Sequence, residues 1–234
     1  MIFIYNYYYY NFDIIIFAVT LVITLGAQAY ISAKYASTRR IRTSKGLTGR
    51  EVARKILDAN GLDNVRINEV SGELTDHYDP RNKTVNLSSD IYNGTSVASA
   101  SVASHECGHA IQDKDGYLFL RIRSSIVPLV NFSSHAGYIA ILLGLIFSWM
   151  DLLFIGIIFE AVILLFQLIT LPVEFNASHR ALVQLERLNL VTDREHSKAR
   201  GMLIAAALTY VASVATAILE ILRLLLIFSS RDDR

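Results

Sequence analysis

This chain of 234 residues has a single cysteine and almost no net charge. Cys107 is its only cysteine, which excludes a disulfide within the chain, and a thiol that stays free fits a reducing compartment. Lysine and arginine nearly balance aspartate and glutamate, so the formal net charge is only +1. A nucleic-acid-binding protein usually carries a basic excess, and we therefore expect no nucleic-acid partner.

Charged residues are almost missing from four long apolar runs, at residues 14–31, 126–149, 152–171 and 202–228. Hydrophobic residues make up 53% of the sequence, and a helix of about 20 apolar residues is long enough to cross the hydrocarbon core of a bilayer. No lysine or arginine precedes the first run, so we expect a retained anchor and not a cleaved signal peptide. The composition predicts a mainly α-helical membrane protein with about four transmembrane helices.

Basic residues lie between the first and second runs and between the third and fourth, whereas the turn between the second and third has none. The positive-inside rule then places the two basic segments in the cytoplasm and the amino terminus outside. We divide the chain accordingly into an anchor helix (1–33), a cytoplasmic segment (34–125), a transmembrane hairpin (126–171), a second cytoplasmic segment (172–201) and a C-terminal transmembrane helix with its tail (202–234). The expected location is the plasma membrane, crossed several times.

The first cytoplasmic segment has the capping and turn signals of a small folded domain. Thr48 is placed to cap a helix. Alternating polar and apolar residues from Val65, a DPRN turn at residues 79–82 and the TVNL stretch at residues 84–87 are typical of short strands. The segment therefore predicts a small antiparallel β-sheet before the next helix.

That next helix, expected to begin near Thr95 or Ser96, carries the sequence SHECGHAIQD. On a helix, His105 and His109 lie one turn apart on the same face and can share one ion. A catalytic zinc takes two such imidazoles, a third protein ligand and a water molecule. Glu106 stands beside that water and can take its proton. The alternative is a polar patch on an ordinary helix.

If the site resembles those of known zinc peptidases, its third ligand lies downstream, where the chain offers few candidates. His135 lies about one turn into the second run, and Glu174 and His179 follow the third run. Asp151 and Glu160 are unsuitable, since the expected topology places them on the far side of the membrane or deep within it. Glu174 stands on the same side of the membrane as the two histidines.

Three stretches, TDHYDPRNKTVNLS, SVASHECGHAIQ and LPVEFNASHRAL, resemble the bacterial neutral zinc metallopeptidases of the YugP-like family. The resemblance covers about residues 46–225. That family is related to the membrane gluzincins, which include HtpX heat-shock proteases and CAAX-prenyl proteases. The resemblance implies a third-ligand glutamate followed by alanine and aspartate at the third and fourth positions. Here these positions hold Glu174, Ala177 and Ser178, so serine replaces the aspartate.

Other residues are candidates for supporting roles. Ser178 could orient a ligand through a hydrogen bond, although more weakly than an aspartate. His77 and Tyr78 could donate to a tetrahedral oxyanion, with a solvent-exposed turn as the alternative. His179, beside Ser178, is a similar candidate. Cys107 points away from the metal-binding face of its helix, so we interpret it as a packing residue.

Together these features predict a zincin-like helix in a membrane-integral zinc metalloendopeptidase, active at the cytoplasmic face of a bacterial membrane. His105, His109 and Glu174 would hold Zn²⁺, Glu106 would act as the base, and the substrate would be a peptide or a membrane protein. One alternative is a non-catalytic zinc-binding membrane adaptor or scaffold. Retention of Glu106 argues against it, because a structural site needs no base. A zinc hydrolase acting on a non-peptide bond is the other alternative.

Overall fold

The computed structural model describes the backbone of residues 2–232 and the side chains of residues 12–229. Within those residues the chain is mainly helical and has one small sheet, as predicted. The elements are α1 (Ile2–Arg39), α2 (Gly49–Ala59), β1 (Arg66–Val70), β2 (His77–Asp79), β3 (Thr84–Ser88), α3 (Ser89–Asn93), α4 (Val97–Lys114), α5 (Leu118–Ile146), α6 (Met150–Arg187) and α7 (Asp193–Asp232).

Four helices in the described part of the chain are long and apolar enough to cross a membrane, which agrees with the predicted number. They are Phe12–Arg39, Leu118–Ile146, Met150–Arg187 and Asp193–Ser229. Many of their large apolar side chains are exposed, among them Val22 (70%), Phe132 (62%) and Leu165 (56%). Exposed apolar side chains on such long helices suit a hydrocarbon environment better than water.

The chain divides into two compact units. The first comprises Met1–Gln28, Ile122–Leu171 and Thr209–Arg234, and its described residues are helical except for the turn between α5 and α6. Glycines let its helices approach closely, since a Cβ at Gly144 would lie 2.8 Å from the Leu153 backbone nitrogen. In the same unit Arg223 of α7 pairs with Asp13 of α1 and, at 3.2 Å, with Glu220.

The second unit comprises Ala29–Arg121 and Pro172–Leu208 and has its own hydrophobic core. Helix α2 begins with a capping box, in which Thr48 and Glu51 each satisfy the other's backbone N–H, as the Thr48 signal predicted. Its apolar face packs against α4 and the sheet. The buried members of this face are Val52, Ala53, Ile56 and Leu57.

The sheet has the order β1-β3-β2, and one of its two pairings differs from the prediction. The sequence predicts an antiparallel sheet from the strand that follows Val65 and the TVNL strand, but these two, β1 and β3, run parallel. The antiparallel partner of β3 is β2, a third strand just before the DPRN turn that the alternation did not predict. All five residues of β3 are buried, so β3 occupies the centre, with the other two strands at the edges. Strands β1 and β3 therefore point the same way, and β2 points the opposite way.

The third apolar run ends just before Pro172, but helix α6 continues unbroken past this proline to Arg187. A proline inside a helix removes one backbone hydrogen bond. Beyond it, a stripe of fully buried residues packs this part of the helix within the second unit. The stripe consists of Val173, Ala177, Ala181 and Leu185. A single helix therefore carries both an apolar run and Glu174.

Candidate metal centre

Helix α4 presents the two histidines of the motif on one face. The Ser96 side chain caps the helix by accepting from the Ser99 backbone N–H, one of the two caps expected. The His105 and His109 rings lie one turn apart, with centroids 4.8 Å apart. The His109 residue is 8% exposed, so the face points into protein and not into bulk solvent.

Helix α6 approaches α4 very closely at Gly108, between the two histidines. A Cβ at Gly108 would lie 2.5 Å from the backbone oxygen of Ala177, which is closer than carbon and oxygen can pack. Only glycine therefore allows this separation of the two helices. The close approach carries Glu174 and Ser178, one turn apart on α6, to the histidines.

His105, His109 and Glu174 form the group of potential metal ligands found among the described residues, with one ligand atom from each lying within 4.8 Å of the others. Glu174 Oε2 lies 3.2 Å from His105 Nε2 and 3.6 Å from His109 Nε2. Tetrahedral zinc with bonds of about 2.05 Å separates neighbouring ligand atoms by roughly 3.3 Å. Two imidazole nitrogens and one carboxylate oxygen at these distances fit zinc.

The far nitrogen of each histidine also has a partner. Ser178 Oγ lies 3.2 Å from His105 Nδ1, which is the contact that an orienting serine would make. Gln112 Oε1 lies 2.9 Å from His109 Nδ1. These contacts hold both rings with Nε2 toward Glu174, an orientation in which the two Nε2 atoms and the carboxylate can bind one ion.

Glu106 lies next to His105 on α4 and is 7% exposed. Burial raises the pKa of its carboxyl from 4.5 to about 7, and the nearby charge of Glu174 acts in the same direction. His105 and the backbone N–H of Tyr78 act in the opposite direction. A carboxylate with a pKa near neutrality suits a general base at physiological pH.

The side chains of His77 and Tyr78, two of the oxyanion candidates, hydrogen-bond to residues outside the ligand group. His77 Nδ1 lies 2.8 Å from the Thr75 carbonyl oxygen, and its Nε2 lies 3.2 Å from the Asn86 side-chain nitrogen. The Tyr78 hydroxyl donates to Asp113 at 2.6 Å, and burial raises its pKa, so the hydroxyl stays protonated. Neither side chain has a described hydrogen bond to the three potential ligands.

His135 and His179 also lie outside the ligand group. His135 is exposed on α5, with its Nδ1 2.8 Å from the Asn131 carbonyl oxygen, and His179 is exposed on α6. Gln112 is the site residue that sequence reasoning missed. Its position three residues after His109, and so on the same helix face, was the available signal.

The chain belongs to the family described as "Putative neutral zinc metallopeptidase", which it matches over residues 13–229. Among curated proteins, it is 42% identical over 208 residues to the "Putative membrane protease YugP" of Bacillus subtilis (strain 168). The aligned region covers 88% of this chain and 92% of that protein. The resemblance read from the three sequence stretches is thereby confirmed. No solved structure matches the chain with significance.

Proposed function

We propose that the chain is a membrane-integral zinc metalloendopeptidase that hydrolyses peptide bonds at the cytoplasmic face. The observation that carries this proposal is the convergence of His105, His109 and Glu174 beside the buried carboxyl of Glu106. A structural zinc site is usually closed by four protein ligands, whereas a catalytic site uses three and leaves one position for water. The described residues supply three, which favours catalysis over a scaffold role.

Each side chain has a role in the proposed reaction. Zinc bound to the three ligands would acidify a water molecule and polarise the scissile carbonyl. Glu106 takes a proton from the attacking water and delivers it to the amide nitrogen as the C–N bond breaks. Ser178 holds the His105 ring in place. The products are a carboxylic acid and an amine, and Glu106 returns to its starting state.

Strand β2 is the sheet edge that we propose for substrate binding. It is an edge strand, and the backbone N–H of Tyr78 within it faces Glu106. Extended peptides bind to exposed sheet edges through backbone hydrogen bonds. A peptide bound along β2 would therefore run past the base, whereas β1 lies on the other side of the sheet.

The cytoplasmic location rests on the distribution of basic residues around four apolar helices. The segments that hold the ligand group, in α4 and at the end of α6, are flanked by lysine and arginine. The turn between α5 and α6 contains neither. This asymmetry favours a cytoplasmic active site.

The test is cleavage of a fluorogenic peptide library by the purified full-length chain in detergent. We expect cleavage that stops with a chelator and returns with Zn²⁺. Glu106→Gln should keep zinc but lose activity by several orders of magnitude, because base and metal act together. Undiminished cleavage by Glu106→Gln would remove Glu106 from the reaction. Zinc binding without cleavage of any peptide would support the scaffold role.

A further inference from the structure

His109 is joined to α6 by hydrogen bonds whose direction can be assigned. His109 Nδ1 lies 2.9 Å from Gln112 Oε1. Gln112 Nε2 donates to the Val173 carbonyl oxygen at 2.8 Å and to Asn176 Oδ1 at 3.0 Å. Arg180 Nε donates to the same Asn176 oxygen at 2.8 Å. Gln112 is fully buried, so water does not replace these contacts.

Arg180 and Val173 determine which atom donates in each hydrogen bond of this series. A guanidinium can only donate hydrogen bonds, so the Asn176 atom that faces Arg180 must be the carbonyl oxygen. That oxygen also faces Gln112, which must therefore present its amide nitrogen. The backbone carbonyl of Val173 only accepts and imposes the same orientation. The Gln112 oxygen is left to face His109.

This orientation determines the tautomer of His109. An amide oxygen only accepts, so His109 Nδ1 must carry the hydrogen. A neutral imidazole has a single N–H, and the lone pair therefore lies on Nε2, the atom 3.6 Å from Glu174 Oε2. His105 differs, because the Ser178 hydroxyl can donate or accept and so dictates no tautomer.

We propose that Gln112 is a positioning residue that locks His109 in the metal-binding tautomer, with its own orientation fixed by Val173 and by Arg180 through Asn176. Arg180 is itself anchored, since its Nη1 lies 2.6 Å from Asp115 Oδ2. The proposal rests on the proposed zinc site. Loss of such a partner typically weakens metal binding by about 10–100-fold.

The tautomer can be read directly from imidazole ¹⁵N chemical shifts. The full-length chain in micelles, freed of metal and at alkaline pH where imidazoles are neutral, is compared with Gln112→Met. We expect His109 to carry its hydrogen on Nδ1 in the wild type and to lose that preference in Gln112→Met. His135, bonded to Asn131 within α5, should be unchanged in both proteins. A wild-type His109 with its hydrogen on Nε2 would overturn the proposal.

Zinc affinity, measured by chelator competition, provides a second test. Gln112→Met, which keeps the side-chain volume, should bind zinc about 10–100-fold more weakly than the wild type. Gln112→Glu keeps an acceptor for His109 Nδ1 but loses the amide donor to Val173 and Asn176, so it should bind zinc more weakly than the wild type and more tightly than Gln112→Met. Equal loss in both variants would show that the acceptor facing His109 does not matter, and would overturn the proposal.

Gln184 offers a matched control. It is a buried glutamine on α6 whose Nε2 contacts Asn60 Oδ1 at 3.4 Å and which lies outside the ligand group. Gln184→Met should keep wild-type zinc affinity, and a loss equal to that of Gln112→Met would contradict the proposal. A wild type that binds no zinc would instead defeat the proposed function. The tautomer measurement on metal-free protein would still decide the role of Gln112.

Discussion

Glu106 is buried where its negative charge is poorly stabilised. Its pKa of about 7 in the folded chain lies above the value of 4.5 for an exposed glutamate. Because the pKa is higher in the folded state, the Glu106 carboxyl contributes to the free energy of unfolding when it is protonated. This contribution is fully present below about pH 4.5 and is lost as the pH rises through about 7. Metal-free protein should accordingly lose stability over this window.

Glu106→Gln removes this pH dependence and provides the measurement. Between pH 4.5 and 8 the metal-free wild type should lose roughly 3 kcal/mol more unfolding free energy than the variant, from a shift of about 2.5 pKa units. Denaturant unfolding in detergent at several pH values checks this. Parallel curves for the two proteins would contradict it. Zinc should reduce the difference, because a cation favours the ionised carboxylate.

Glu174 is expected to be the third zinc ligand. Its carboxylate oxygen lies within 3.6 Å of both histidine Nε2 atoms, and a carboxylate partly neutralises the dication. Glu174→Ala should therefore lower zinc occupancy sharply and abolish activity, as measured by metal quantification on purified protein. Ser178→Ala, which removes only a partner of His105, should cause a partial loss.

His135→Ala and His179→Ala are the controls for that experiment. Both histidines are exposed and lie outside the ligand group, so both variants should keep the metal. Full zinc occupancy in Glu174→Ala, together with loss in one histidine variant, would transfer the ligand role to that histidine.

At the scale of elements, the site depends on how closely α4 and α6 approach. Gly108→Ala places a methyl group 2.5 Å from the Ala177 backbone oxygen, and neither backbone can move without shifting its helix. We expect a loss of about 1–3 kcal/mol in unfolding free energy. Zinc binding should weaken too, because Glu174 moves with α6. Chelator competition and denaturant unfolding measure the two effects.

Gly201→Ala is the matched control. Gly201 also lies inside a helix, but a Cβ there meets nothing within 4 Å. Alanine should be neutral or stabilising by up to about 1 kcal/mol, because it is the better helix former. Equal effects of the two substitutions would show that the close contact at Gly108 is not important.

The sequence predicted those elements whose signals are local. The Thr48 and Ser96 caps and the apolar runs all depend on residues near one another in the chain. The parallel pairing of β1 with β3 and the passage of α6 through Pro172 did not follow from local patterns. Both features depend on packing against residues that are distant in the sequence. Neither the alternation of polar and apolar residues nor the tendency of proline to end a helix contains that information.

The site was predictable to a similar extent. The HExxH spacing placed two imidazoles and a carboxyl group on one helix, the expected topology favoured Glu174, and the family resemblance supported Glu174 and added Ser178. Gln112 was missed because its significance lies in partners on α6, more than 60 residues away along the chain. Likewise, Gly108 is only recognisable as essential once Ala177 is seen opposite it.

At the scale of the whole molecule, the proposal requires one orientation in the membrane. Lys45 lies in the segment that follows α1, whereas Asp151 lies at the start of α6 beside the turn without basic residues. Both are exposed, so cysteines placed there can react with a reagent. The basic bias predicts that Lys45 is cytoplasmic and Asp151 external.

The measurement uses Lys45→Cys and Asp151→Cys, each in a Cys107→Ala background, in intact cells with a membrane-impermeant maleimide. Cys107 is fully buried among apolar residues, so alanine removes the native thiol without introducing a buried polar group. The Asp151→Cys protein should label in intact cells, and the Lys45→Cys protein only after permeabilisation. Labelling of Lys45→Cys from outside would place the ligand group on the external side, where its substrates would be extracytoplasmic. The zinc chemistry proposed for the site would be unchanged, because it depends on α4 and α6 and not on which side of the membrane they face.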